Sequence, residues 1–181
     1  MFKLAAAFTL VASSAFASGL EIMVDGEAQG TIKIDLLEEL APKHVEQIKA
    51  IAAEGLYDGV VFHRVIDGFM AQTGDVQFGR IGMDMRMAGM GGSEFGDIEA
   101  EFSEEPFARG IVGMARSSDP NSANSQFFIM FEQGDFLNGQ YTVVGRVTEG
   151  MDVVDAIKRG EGPNGAIIGR PDVMIKVTVT E

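Results

Sequence analysis

Glycine punctuates this chain, 23 residues in 181, and between the glycine-rich turns lie apolar runs of strand length. Eight such runs can be read: Leu20 to Val24, Thr31 to Leu36, Val60 to Ile66, Phe69 to Thr73, Ile111 to Ala115, Gln126 to Phe131, Thr142 to Val147 and Val173 to Val179. Many short strands closed by glycine turns suggest a closed barrel or a sandwich. Two segments have helical spacing instead. Pro42 to Glu54 sets Val45, Ile48 and Ala52 on one face with Glu46, Lys49 and Ala53 turned away, with Pro42 near its start and Gly55 just beyond its end. Met151 to Arg159 gathers Val153, Val154 and Ile157 and stops at Gly160. Strands with two isolated helices fit a mainly β barrel whose open ends the helices plug. The glycine- and methionine-rich stretch from Gly79 to Gly96 has no clear period and reads as a long, partly ordered surface loop.

The first 17 residues have a different character. Lys3 supplies a short basic start, Leu4 to Phe16 is apolar, and Ala15-Phe16-Ala17 is a small-x-small cleavage signal. This is the pattern of a secretory signal peptide cut after Ala17. The alternative, an N-terminal membrane anchor, needs roughly 20 apolar residues, and the run falls short. With no cysteine there is no lipid-modified residue at the cleavage site and no disulfide, so the expected product is a soluble, exported protein, periplasmic in a bacterium. Residues 18–181 are long enough for one domain with a sizeable core. The net charge of −13 becomes −14 when Lys3 leaves with the signal. Such a surface repels phosphate backbones and anionic lipid heads, which sets nucleic acid and membrane surfaces aside as partners. Glu99, Glu101, Glu104 and Glu105 read as a solvated acidic face rather than a metal site.

Most catalytic signatures are missing. Without cysteine there is no thiol nucleophile, and His44 and His63 cannot form an HExxH helix. Neither GxxxxGK[ST] nor GxSxG occurs; Phe95 stands where the second glycine of the latter belongs. His44 is expected at the surface near the first turn of its helix, and His63 as a satisfied structural histidine. The residue that asks for an explanation is Arg64, inside Val60-Val61-Phe62-His63-Arg64-Val65-Ile66. Strand alternation puts apolar neighbours around it whichever face is buried, and a charge in such company must be paired, solvated or working. Alternation also places Gln126, Phe128 and Met130 on one face and Met70 with Gln72 on another, so each strand offers an apolar group beside an amide. With Arg64 they could line a cleft that accepts a small apolar group and grips the flanking backbone.

The run Phe62-His63-Arg64-Val65-Ile66-Asp67-Gly68-Phe69-Met70-Ala71-Gln72-Thr73-Gly74-Asp75 resembles the signature of the cyclophilin-type peptidyl-prolyl cis-trans isomerases. Asn124 to Ile129 and Phe136 to Val147 resemble the second and third blocks of that family, in order and spacing, and the likeness runs from about Leu20 to the C-terminus. It implies an eight-stranded antiparallel barrel with a helix at each end, acting as an isomerase on proline-containing polypeptide clients, with no metal or cofactor and as a monomer. Carried over by position, it makes Arg64 the catalytic arginine. It puts Phe69, Met70, Phe128 and Leu137 in a proline pocket, and Gln72 and Gln126 on the substrate backbone with Ala115 beside them. Phe136 stands where many members have tryptophan and Tyr141 where the family often has histidine. Both keep the pocket apolar, though similar members with this change bind cyclosporin weakly. Asp67 replaces the usual turn proline, and Arg116 to Ala123 align only loosely.

Three other readings stay open on the sequence. The chain could be a proline-binding chaperone module of the same fold with little turnover. Met83, Met85, Met87 and Met90 could bind copper(I) through thioethers, although an adaptable contact surface is the simpler explanation. Arg64 could be a structural arginine capped by Glu94 or Asp97.

Overall fold

The computed structural model describes residues 18–181; residues 1–17, where the sequence predicts a signal peptide, lie outside them. Nine strands and two α-helices follow in the order β1 (Gly19–Asp25), β2 (Gly30–Leu36), α1 (Pro42–Ala53), β3 (Val60–Val61), β4 (Arg64–Ile66), β5 (Met70–Thr73), β6 (Ile111–Met114), β7 (Phe127–Met130), β8 (Val143–Glu149), α2 (Met151–Ala156) and β9 (Val173–Thr180). They form one curled antiparallel sheet in the order β3-β9-β1-β2-β8-β6-β7-β5-β4. The strand expected from Val60 to Ile66 is two, which turns the expected eight strands into nine. Its halves occupy opposite edges of the sheet. Phe62 N–H donates to Asp172 O just ahead of β9, at 3.0 Å, and His63 N–H donates to Gln72 O in β5, at 3.2 Å. The edges of the curled sheet are therefore joined through the chain itself, at Phe62-His63.

Alternation along the strands separates two apolar layers. Leu20, Ile22 and Val24 of β1 and Ile32 and Ile34 of β2 are buried in the larger core, where Ile22 pairs with Ile32 and Leu20 with Ile34. Ala71 of β5 and Ile129 of β7 point into that core, whereas Met70, Phe128 and Met130, one step along, belong to a second cluster on the other face. Helix α1 turns Val45, Ile48, Ile51 and Ala52 into the larger core, and α2 contributes Val153 and Val154. Helix α2 stops three residues short of the expected Arg159, because Ile157 is extended and Lys158 N–H donates to the buried Asp172 carboxylate at 2.7 Å. Among the described residues, no helix is long and apolar enough to cross a membrane.

Two expectations need correction at the start of α1. His44 is fully buried rather than at the surface, and its Nδ1–H donates to Glu101 Oε2 at 2.7 Å. Glu101 is not part of a solvated acidic face: it also accepts from Lys43 N–H at 3.2 Å and His44 N–H at 3.1 Å, so a carboxylate 57 residues away from His44 caps the helix. The remaining glutamates are closer to the expectation, with Glu99 beside Lys43 and Glu105 beside Arg146 in exposed pairs. The Gly79 to Gly96 loop is pinned along its length. The buried Asp75 carboxylate accepts from Gln77 and Phe78 N–H at 3.1 and 2.8 Å and from Gly89 and Gly91 N–H at 2.7 and 3.1 Å. A Cβ at Gly91 would lie 2.5 Å from Asp75 Oδ1, so only glycine fits that approach.

Removing the cap strands three donors, one of them on a buried ring. Glu101→Ala is expected to lower unfolding stability by about 1–3 kcal/mol in urea titration. Burial is the largest influence on His44 and pulls its imidazole below the ordinary 6.5 despite Glu101. Below that pH the unfolded chain therefore binds more protons than the native one. This contribution to stability is complete above pH 6.5 and declines as pH falls below it. Thermal unfolding from neutral to mildly acidic pH checks this: the midpoint drops for the wild type, and His44→Gln flattens the drop.

Candidate functional site

Sheet register assembles the polar part of the site. Arg64 of β4 pairs with Gln72 of β5, Gln72 with Phe128 of β7, and Phe128 with Gly113 of β6, so four neighbouring strands each present one residue along a single line. Arg64 is half-buried. Its Nη1 donates to Gln72 Oε1 at 3.0 Å and makes a weak 3.8 Å contact with Met70 Sδ. Gln72 Nε2 then donates to Gln126 Oε1 at 2.9 Å, and Gln126 Nε2 donates to Gly91 O at 2.8 Å. A continuous hydrogen-bond chain thus runs from the guanidinium through two amides to the pinned loop. On the other side, Nε and Nη2 of Arg64 donate to the backbone and side-chain oxygens of Asn164, both at 3.0 Å.

These hydrogen-bond acceptors are all neutral. The alternative carboxylate caps are absent from them, and Asp97 instead accepts from Asn124 Nδ2 at 3.1 Å. Burial pulls the Arg64 guanidinium down from its ordinary range, with Tyr141 acting weakly the other way; an arginine stays charged through such a shift. A partly desolvated cation with no countercharge in hydrogen-bond contact is primed for an acceptor that arrives from outside.

Beside the arginine lies an apolar pocket. Phe69, Met70, Ala115, Phe128, Leu137 and Tyr141 belong to one cluster, which brings together most of the residues the sequence marked. Phe128 meets Tyr141 edge-on, with centroids 5.9 Å apart at 84°. Behind it, Phe107 stacks at 5.8 Å and 22°. Both rings press on Gly113, where a Cβ would come within 2.5 Å of Phe107 and 2.6 Å of Phe128; a side chain there would push the pocket floor outward. Phe107 escaped the sequence reading because it sits in an acidic, aperiodic stretch. Phe136 stays on the rim, 66% exposed, with its ring 5.4 Å from that of Phe69. Arg116 lies over the Tyr141 ring at 4.4 Å and donates to Gln140 O, and so holds the outer wall of the pocket.

A groove of about 1140 Å³ adjoins this pocket rather than containing it. Gln72, Ala115 and Gln126 line the near wall, and Met90, Phe95 and Arg116 lie beyond. Ala115 N–H donates to Gln126 O at 2.9 Å, which ties the two sides of the near wall together. His63, opposite in parity to Arg64, is buried with its ring close to Gly89 and near Gln126. Its ring nitrogens have no hydrogen-bond partner among the described residues, contrary to the expected satisfied histidine. Burial holds its imidazole below the ordinary value, with Asp75 acting the other way. No group of three or more His, Cys, Asp or Glu positioned to hold a metal occurs among the described residues.

The sequence from 20 to 179 matches the family model described as cyclophilin type peptidyl-prolyl cis-trans isomerase/CLD. A probable peptidyl-prolyl cis-trans isomerase of Brucella suis is 62% identical over 153 residues, covering 83% of this chain and 78% of the relative. A peptidyl-prolyl cis-trans isomerase of Arabidopsis thaliana is 39% identical over 135 residues, 74% of this chain and 81% of the relative. Among solved structures, a cyclophilin from Hirschia baltica superposes with a TM-score of 0.71 at 28% identity, covering 88% of this chain and 73% of that one. A cyclophilin-type isomerase of Cryptosporidium parvum, crystallised in the presence of the dipeptide Ala-Pro, gives 0.74 at 27% identity over 90% of this chain and 99% of its own. Matched to the family model over residues 20–179 and to relatives over most of its length, the chain belongs to the cyclophilin-type peptidyl-prolyl cis-trans isomerases.

Proposed function

We propose that Arg64 carries the isomerase activity of this chain, on X-Pro bonds of extended client segments. An X-Pro bond resists rotation by close to 20 kcal/mol because twisting breaks amide resonance, and the unaided step takes tens of seconds or longer. No bond is broken, so a catalyst needs only to favour the twisted amide over the planar one. In the twisted form the proline nitrogen regains a lone pair, an acceptor that scarcely exists in the ground state. A donor waiting for that lone pair must stay charged and have no countercharge of its own. The single observation that carries the reading is the set of neutral oxygens around Arg64.

The neighbouring side chains take the supporting roles. Phe69, Met70, Phe128, Leu137 and Tyr141 receive the proline ring, with Phe136 at the rim. Gln72, Gln126 and Ala115 hold the flanking backbone, so rotation takes place in a site of low dielectric. The Ala-Pro dipeptide used with the Cryptosporidium parvum neighbour supports a proline-containing ligand for this pocket. The chain is taken to act as a monomer. The basic start, apolar run and Ala-Phe-Ala motif at the N-terminus support export, with client proteins met during folding in the periplasm.

A charge-assisted hydrogen bond is worth about 1.5–3 kcal/mol, or roughly one to two decades of rate. Exchange spectroscopy on a short X-Pro peptide is expected to show acceleration by the wild type and at least about a tenfold loss in Arg64→Ala. Peptide binding with exchange left at background would mark the chain as a binding module instead. Expression in a bacterial host is expected to release a protein whose intact mass begins at Ser18; a mass that retains Met1 to Ala17 would overturn export.

A further inference from the structure

We infer that Asn164 is a positioning residue for Arg64, and that its neutral grip keeps the guanidinium aimed without cancelling its charge; this rests on Arg64 being the catalytic group. Among the described residues, Asn164 is the one non-glycine residue with a positive φ, at 55°. Asparagine tolerates the left-handed region better than most residues, yet glycine would sit there without strain. The turn itself is held by other contacts: Gly162 N–H donates to Ala166 O at 2.9 Å, Ala166 N–H to Pro163 O at 3.2 Å, and Gly160 N–H to Val65 O at 2.9 Å. Ala166 in turn bridges to Arg64 across the sheet edge. Turn chemistry therefore explains the backbone but not the side chain, whose Oδ1 reaches out of the turn to Nη2 of Arg64.

A guanidinium has five N–H groups in one plane. Asn164 takes one on Nε and one on Nη2, and Gln72 takes one on Nη1. Three acceptors in that plane fix its orientation, and one N–H on each terminal nitrogen is left, with only the weak Met70 sulfur contact nearby. A carboxylate in place of Asn164 would offer the same two-oxygen fit, but would neutralise the charge that the twisted amide needs. The side-chain amide therefore serves where the more common partner of arginine would not.

Three variants separate this role from turn formation. In Asn164→Gly the left-handed backbone persists and one acceptor is lost. Its kcat on an X-Pro peptide is expected to fall about three- to tenfold, the loss of one hydrogen bond to a neutral acceptor, with KM within about twofold. Exchange of the Arg64 Nη2–H protons with water, read by NMR, should quicken, because the side-chain oxygen lost in this variant is the one that Nη2 donates to. In Asn164→Asp the carboxylate is expected to restore slow Nη2–H exchange while kcat stays low. Wild-type kcat in Asn164→Gly, or full kcat in Asn164→Asp, would overturn the inference. Arg64→Ala, measured alongside, tests the underlying reading separately: if it retains the wild-type rate, Arg64 is not the catalytic group, whatever Asn164 does. Backbone amide spectra of each variant report whether the fold is intact.

Discussion

The cost of leaving a guanidinium half out of water without a countercharge shapes much of this molecule. Arg64 is tolerable because Gln72 and two oxygens of Asn164 replace the lost water. Each of those groups needs its own support. Gln72 is oriented by Gln126, Gln126 by the Gly91 carbonyl, and Gly91 by the buried Asp75 carboxylate. Asn164 is oriented by a turn stitched to β4. A single cationic side chain of β4 thus recruits Gln72 from β5 and further residues from three loops.

The same arginine sits beside the place where the sheet joins its own edges. Because Phe62 bonds toward β9 and His63 toward β5, the chain crosses from one edge to the other immediately before Arg64. The seam faces the 160–166 turn on one side and the amide line on the other. The apolar pocket then follows from strand parity: Met70 and Phe128 face away from the larger core, where Ala71 and Ile129 are packed, and so meet Leu137 and Tyr141 on the far face. Gly113 lets Phe107 and Phe128 stack close enough to floor that pocket. One sheet thereby supplies two hydrophobic layers, one on each face.

Much of this was legible in the residues. Period-two runs between glycines mark the strands, and Pro42, Gly55 and the apolar spacing mark α1, because these signals are local and depend only on side-chain direction and backbone freedom. Where local signals failed, a distant group had intervened. Asp172 draws Lys158 out of α2, and Glu101 buries His44 by capping a helix 57 residues earlier in the chain. Phe107 and Asn164 lie in aperiodic loops, where residue type says little about which neighbour will arrive.

By itself, the sequence determined the strand count to within one, the two helices, the parity that groups Met70 with Gln72 and Phe128 with Gln126, and the family to which these motifs belong. Only the tertiary structure decided that Arg64 would have neutral acceptors, that Asn164 would supply two of them, and that His44 would be buried. The physical reason is range. Periodicity and turn chemistry act over a few residues, whereas the partners of a desolvated charge are chosen by whichever loops the closing sheet brings within about 3 Å of it.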